Sequence, residues 1–235
     1  MDGAEKKIWI VANWKSNLNL SGSLDWINKV GSQLNKREDL QVVVCPRFSV
    51  LPELYQEVQT NSYPIMLGSQ NLSPFETGSF TGEEPAQLLK ELVSMSIVGH
   101  SERREKFAET DEMVGQKIKL AQSAGIEPIL CIQNSETPIP DGVKIAAYEP
   151  IFAIGTGTPD TPENANKVAS QVKSMKPEIN ILYGGSVTSQ NCRSFVDEEN
   201  ISGLLIGKAS LNVDEFLKIV ANCVKASSPR RRGSN

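Results

Sequence analysis

Lys144-Ile145-Ala146-Ala147-Tyr148-Glu149-Pro150 is a short run, apolar on both faces, that ends on an acid and a proline. A strand with water on one side alternates apolar and polar residues, whereas a parallel strand covered on both sides does not. The run therefore reads as a buried parallel strand at 144–150. Seven further runs of the same character stand at 8–15, 41–46, 65–71, 95–100, 128–133, 180–187 and 203–210. Helical patterns separate most of them. Residues 21–34 place Leu24, Ile27, Val30 and Leu34 on one face, and further patterns cover 85–92, 111–124, 189–196 and 213–226. Thr110 or Asp111 caps the third of these, and another helix opens at Thr161-Pro162, with proline at a permissive first position. Eight strands alternating with helices predict an α/β fold of the closed (β/α)8 barrel type over residues 1–226. An open doubly wound sheet is the alternative.

One interval breaks the rhythm. Residues 134–143, between the fifth and sixth strands, contain Pro138, Pro140 and Gly142. A parallel crossover normally needs a dozen or more residues, usually with a helix. The helix between strands five and six is therefore predicted missing or vestigial, with an exposed apolar flank on the neighbouring strands. Residues 227–235, with Arg230-Arg231-Arg232 among Ser, Pro and Gly, read as a disordered basic tail.

Composition narrows the function. A net charge of −4 argues against nucleic acid as the main partner. No apolar run reaches the ~18–20 residues that cross a bilayer. The first seven residues are too short and charged for a secretory signal, so a cytoplasmic location is expected, with no membrane partner. Cys45, Cys131, Cys192 and Cys223 are widely spaced and read as core thiols. With one histidine and no clustered cysteines, no metal site is expected.

Polar residues gather at the predicted C-terminal strand ends, the face on which barrel active sites are built. The first strand ends Asn13-Trp14-Lys15. The fourth ends Gly99-His100 and runs on into Ser101-Glu102-Arg103-Arg104. The sixth ends Tyr148-Glu149-Pro150, the seventh Gly184-Gly185-Ser186, and the eighth Gly207-Lys208-Ala209-Ser210. Together these supply a base (Glu149), a neutral electrophile (His100), a cation (Lys15) and two glycine-containing turns whose N–H groups suit an anion. Such a set fits proton abstraction next to a carbonyl.

These segments closely resemble the signatures of triosephosphate isomerases, in the right order over nearly the whole chain. Asn13-Trp14-Lys15, the block from Gly99 to Arg104, the stretch from Tyr148 to Gly157 and Tyr183-Gly184-Gly185-Ser186-Val187 carry the resemblance. Gln70-Asn71 and Gly78-Ser79-Phe80-Thr81-Gly82-Glu83 add to it. The resemblance implies an isomerase acting on a triose phosphate in glycolysis and gluconeogenesis, with no cofactor. Glu149 would move the carbon-bound proton and His100 would polarise the carbonyl as neutral imidazole, the scheme for which this family is the known example. Lys15 would stabilise negative charge, Asn13 position the substrate oxygen, and Glu102 orient Lys15. Phosphate would sit near Gly155, Ser186, Gly207 and Lys208. Pro150-Ile151-Phe152-Ala153-Ile154-Gly155-Thr156-Gly157-Thr158 would be a lid that excludes water. Gln70 and Thr81 would belong to the contact that makes a homodimer.

Several positions depart from the family pattern. Phe152 stands where tryptophan is common, Thr158-Pro159-Asp160 replaces the usual second hinge, and Gln133-Asn134 replaces a glycine–glutamate pair. Lys208 stands where glycine is frequent, and its side chain is expected in solvent. Two rivals remain at this point: another phosphosugar barrel enzyme, such as an aldolase with Lys208 as its amine, and a barrel that has lost turnover.

Overall fold

A computed structural model describes residues 6–153 and 159–224. The basic tail, and the lid residues Ile154, Gly155, Thr156, Gly157 and Thr158, lie outside the described residues.

Eight parallel strands close into a barrel: β1 (Ile8–Asn13), β2 (Leu40–Cys45), β3 (Ile65–Ser69), β4 (Met95–Val98), β5 (Glu127–Ile132), β6 (Ile145–Tyr148), β7 (Asn180–Tyr183) and β8 (Ile201–Ile206). Closure is made by β1 against β8, with Trp9 opposite Gly203 and Ala12 opposite Ile206. The open-sheet alternative is thereby excluded. Because side chains alternate along a strand, the barrel has two apolar layers. Val11, Val43, Ile97, Ile129, Ala147 and Leu182 fill the interior. Ile10, Val44, Val98, Leu130 and Ala146 face the helices. Each large aliphatic side chain so buried contributes about 1.5–3 kcal/mol.

The helices are α1 (Leu20–Gly31), α2 (Leu51–Asn61), α3 (Ala86–Leu89), α4 (Ser101–Phe107), α5 (Asp111–Ala124), α6 (Pro162–Met175), α7 (Cys192–Val196) and α8 (Val213–Cys223). Thr110 caps α5 by accepting from the Met113 N–H, and Thr161 caps α6 by accepting from the Asn164 N–H. The sequence reading missed α2 and α4: it ended the fourth strand at His100 and assigned no helix to the residues that follow. Most strands stop before the polar residues assigned to their ends, so Lys15, His100 and Glu149 stand on the loops just beyond.

No helix forms between β5 and β6. The expected open flank is also absent. Val143 is buried, Ile145, Ala146, Ala147 and Tyr148 are 4% exposed or less, and β6 is paired on both edges. The crossover itself covers the gap: Ile139 packs on the core, and Gln122 of α5 donates to the Asp141 carbonyl at 3.2 Å. An extended chain lying flat on the strands removes their apolar surface from water, as a helix would.

Candidate active site

Glu149 follows β6 directly, and its side chain is almost wholly buried at the barrel mouth. Its Oε2 accepts the Ser101 N–H at 2.9 Å, and its Oε1 lies 2.9 Å from His100 Nε2. His100 follows the turn at Gly99 and is the N-cap of α4, so its Nδ1 accepts the Glu102 N–H at 3.1 Å. An imidazole nitrogen that accepts carries no proton. The proton of the neutral ring is therefore on Nε2, aimed at the carboxylate.

Lys15 Nζ bonds Glu102 Oε1 at 2.5 Å. Partial burial raises the Glu102 carboxyl, but the hydrogen bond and charge of Lys15 outweigh it and hold the group below its ordinary value. Lys15 has φ 51°, in the left-handed region. For a residue with a side chain this costs roughly 1–2 kcal/mol. Two neighbours hold it there. Asn13 Oδ1 accepts the Lys15 N–H at 3.1 Å, and Gln70 Nε2 donates to the Lys15 carbonyl at 2.8 Å. Gln70 also donates to the Cys45 carbonyl at 3.0 Å, tying the ends of β1, β2 and β3 together.

These groups surround a cavity of about 840 Å³ whose walls include Asn13, Lys15, His100, Glu149, Ser186 and Lys208. Gly184 and Gly185 line it because little else fits. A Cβ on Gly184 would stand 3.1 Å from Glu149 Cγ, and one on Gly185 would stand within the Tyr183 hydroxyl. Gly207 lies beside Lys15, 3.6 Å from its Cε to the position of a would-be Cβ. Lys208 opens a short 3₁₀ turn, Lys208–Leu211, and is exposed. Of the lid, Pro150 is buried, Ile151 and Phe152 are 64% and 60% exposed, and the backbone of Ile151–Ala153 forms a 3₁₀ turn. Thr81 is exposed on the segment after β3, away from this cavity's walls.

Three features escaped the sequence reading. The Ser101 N–H holds the Glu149 carboxylate, and only the start of α4 reveals that. Cys131, on β5, stands against Glu149. Burial, then the carboxylate's charge and hydrogen bond, push its thiol far up, so it stays protonated beside that carboxylate. The third is Asp160, a buried carboxylate.

A closed barrel with a carboxylate and a neutral imidazole side by side at its C-terminal mouth, next to an ammonium and glycine turns, defines a proton-transferring enzyme of the isomerase class. The Triosephosphate isomerase family model matches residues 8–223. Similar proteins include triosephosphate isomerases of Alkaliphilus metalliredigens, 37% identical over 92% of this chain and 99% of that protein, and of Aquifex aeolicus, 36% identical over 90% and 97%. A third, from Endomicrobium trichonymphae, is 33% identical over 92% and 98%. The chain belongs to the triosephosphate isomerase family. Its reaction is the interconversion of dihydroxyacetone phosphate and D-glyceraldehyde 3-phosphate.

Proposed function

We propose that Glu149 is the base of this isomerisation, with His100, Lys15 and Asn13 as the groups that make the proton removable. The carboxylate takes a proton from the carbon beside the carbonyl and returns it to the neighbouring carbon. Carbon acids of this kind yield a proton only if the enediolate is stabilised as it forms. The His100 Nε2–H is the donor suited to the developing oxyanion, and it moves from the carboxylate to the substrate oxygen as substrate enters. Lys15 supplies a positive charge on the same side. Asn13 has its carbonyl engaged by the Lys15 N–H, which leaves its amide N–H groups for the substrate oxygen. Glu102 orients the ammonium. The phosphate sits on backbone N–H groups around Ser186, Gly207 and Lys208, and the family pattern gives Gly155 the same role. No cofactor takes part.

The observation that carries this reading is the 2.9 Å contact of Glu149 with a His100 ring whose other nitrogen is already accepting. A coupled isomerase assay tests it. Glu149→Asp retracts the carboxylate by about one bond and should lower turnover by about 10²-fold. Lys15→Ala should lower it about 10²–10³-fold. Both variants should keep the parental far-UV circular dichroism. Parental turnover in both would refute the roles.

The aldolase rival is not favoured, because Lys208 lies in an exposed turn after β8 and not inside the barrel. The same reading makes the chain a cytoplasmic homodimer. The segment after β3 supports this: Phe75 and Phe80 stack at 4.4 Å while remaining 44% and 42% exposed, and Thr81 follows. A groove of about 440 Å³, walled by Lys15, Phe48, Gln70, Glu102 and Phe107, is fit to receive that segment from a second copy. Its mass by light scattering should be twice that of the chain, and Phe80→Asp should halve it. A monomeric parent would refute the dimer.

A further inference from the structure

Among the described residues, the proposed chemistry leaves two buried carboxylates unused. Glu109 is accounted for by Lys117 and Arg103, which it bonds at 2.7 and 2.6 Å. Asp160 is different. It is 6% exposed, and its partners among the described residues are neutral donors. Oδ2 accepts the Tyr148 hydroxyl at 3.2 Å and the Asn164 amide at 2.7 Å, while Oδ1 accepts the Thr161 N–H at 2.8 Å. The Asp160 N–H donates to the Tyr183 hydroxyl at 2.8 Å. Burying a carboxylate is costly unless its hydrogen bonds are made, and here they come from β6 and the start of α6, while the Tyr183 hydroxyl on β7 accepts the Asp160 backbone N–H.

Those two strands are the ones that flank the base. Tyr148 and Tyr183 are partners in the β6–β7 register, and Glu149 follows Tyr148 immediately. Successive residues point to opposite faces. Tyr148 accordingly packs outward among the helix-facing core, while Glu149 turns into the mouth. Tyr183 is stacked on Phe195 at 3.8 Å, which fixes its ring. Its hydroxyl occupies the space left by Gly185. One residue thus ties both tyrosines to the start of α6.

We infer that Asp160 is a positioning residue for the isomerisation. By holding the Tyr148 phenol it sets the height and rotation of the peptide that carries Glu149. The inference rests on Glu149 being the base. A purely structural role would be different: Asp160 lies just before the Thr161 cap, where a negative charge stabilises the start of α6. That role would affect melting temperature and leave turnover alone.

The test is steady-state kinetics with glyceraldehyde 3-phosphate on Asp160→Ala, Asp160→Asn, Tyr148→Phe and the Asp160→Ala/Tyr148→Phe double variant. Asp160→Ala and Tyr148→Phe should each lower kcat about 10-fold, an effect of misplacing the base by a fraction of an ångström, with KM within about twofold. The double variant should be no slower than the slower single, because both remove one interaction. Asp160→Asn, whose amide oxygen can still accept the phenol, should recover most of the rate. Parental kcat in Tyr148→Phe or Asp160→Ala would overturn the inference, as would losses that multiply in the double variant. If Asp160→Ala fails to fold, Tyr148→Phe and Asp160→Asn decide it. Glu149→Gln serves as the control. If it is inert while Tyr148→Phe is fully active, only this inference falls; if it is fully active, the base assignment falls first.

Discussion

Gly184→Ala should displace the base without touching any group that binds substrate. The added Cβ would lie 3.1 Å from Glu149 Cγ and 3.2 Å from the Tyr148 carbonyl oxygen. That carbonyl is fixed, because it accepts the Gly184 N–H at 2.8 Å within the sheet. The Glu149 side chain must therefore yield. Unstrained carbon contacts fall at about 3.5–4.0 Å, so the carboxylate moves by roughly 0.4–0.9 Å. A misplacement of 1 Å costs about 10² in rate, and half of that distance about 10-fold, or about 1.4 kcal/mol of barrier. Because the added Cβ meets none of the residues proposed to hold the phosphate, the loss should fall on kcat, with KM within about twofold. Overpacking should also cost about 1–3 kcal/mol of stability, read from a urea melt. The assay is the coupled isomerase reaction at saturating glyceraldehyde 3-phosphate, with circular dichroism as the folding control. A kcat within twofold of the parent, or a change in KM alone, would mean that the added methyl does not displace Glu149.

Two further outcomes follow. Burial raises the Glu109 carboxyl, but Lys117 and Arg103 outweigh it and hold the group below its ordinary value. Its folded value lies below the unfolded one, so its stabilisation is complete above the unfolded carboxylate value of about 4.3 and is lost as pH falls through the folded value. Urea melts between pH 6 and pH 3 should show this loss. Glu109→Gln should flatten that acid limb and, by leaving Lys117 buried without its partner, cost about 3–5 kcal/mol at neutral pH; an unchanged acid slope would contradict this. The chain has a single histidine, so its ring nitrogens give unambiguous ¹⁵N signals. They should report the Nε2–H tautomer in the free enzyme at neutral pH, and an Nδ1–H tautomer would contradict the hydrogen bond from the Glu102 N–H.

The barrel was legible because its strands are covered on both sides, and unbroken apolar runs such as the one through Ala146 and Ala147 record that directly. The gathering of Glu149, His100 and Lys15 at one mouth was legible because each stands at the end of such a run. What the sequence hid follows from local physics. The surface helix Ser101–Phe107 buries no residue, so no apolar stripe announced it, and with it went the N–H groups that fix Glu149 and His100. The helix at Leu51–Asn61 was readable in hindsight from Leu51, Leu54 and Val58 on one face and Pro52 in its first turn. The covered flank beside β6 was missed because periodicity cannot show that an extended segment, through Ile139, will lie against the strands. Asp160 was hidden because a buried carboxylate is recognisable only from the donors around it, and the Tyr148 hydroxyl and the Asn164 amide come from a strand and a helix on either side of the hinge.

Glu149 is the group proposed to carry the proton between carbons. The direct measurement is solvent deuterium entering the carbon beside the carbonyl of the triose phosphate, followed by proton NMR in D₂O. The parent should incorporate it at the pace of catalysis, and Glu149→Gln, with its binding groups intact, should do so at least about 10²-fold more slowly. Incorporation at the parental rate by Glu149→Gln would mean that another residue is the base.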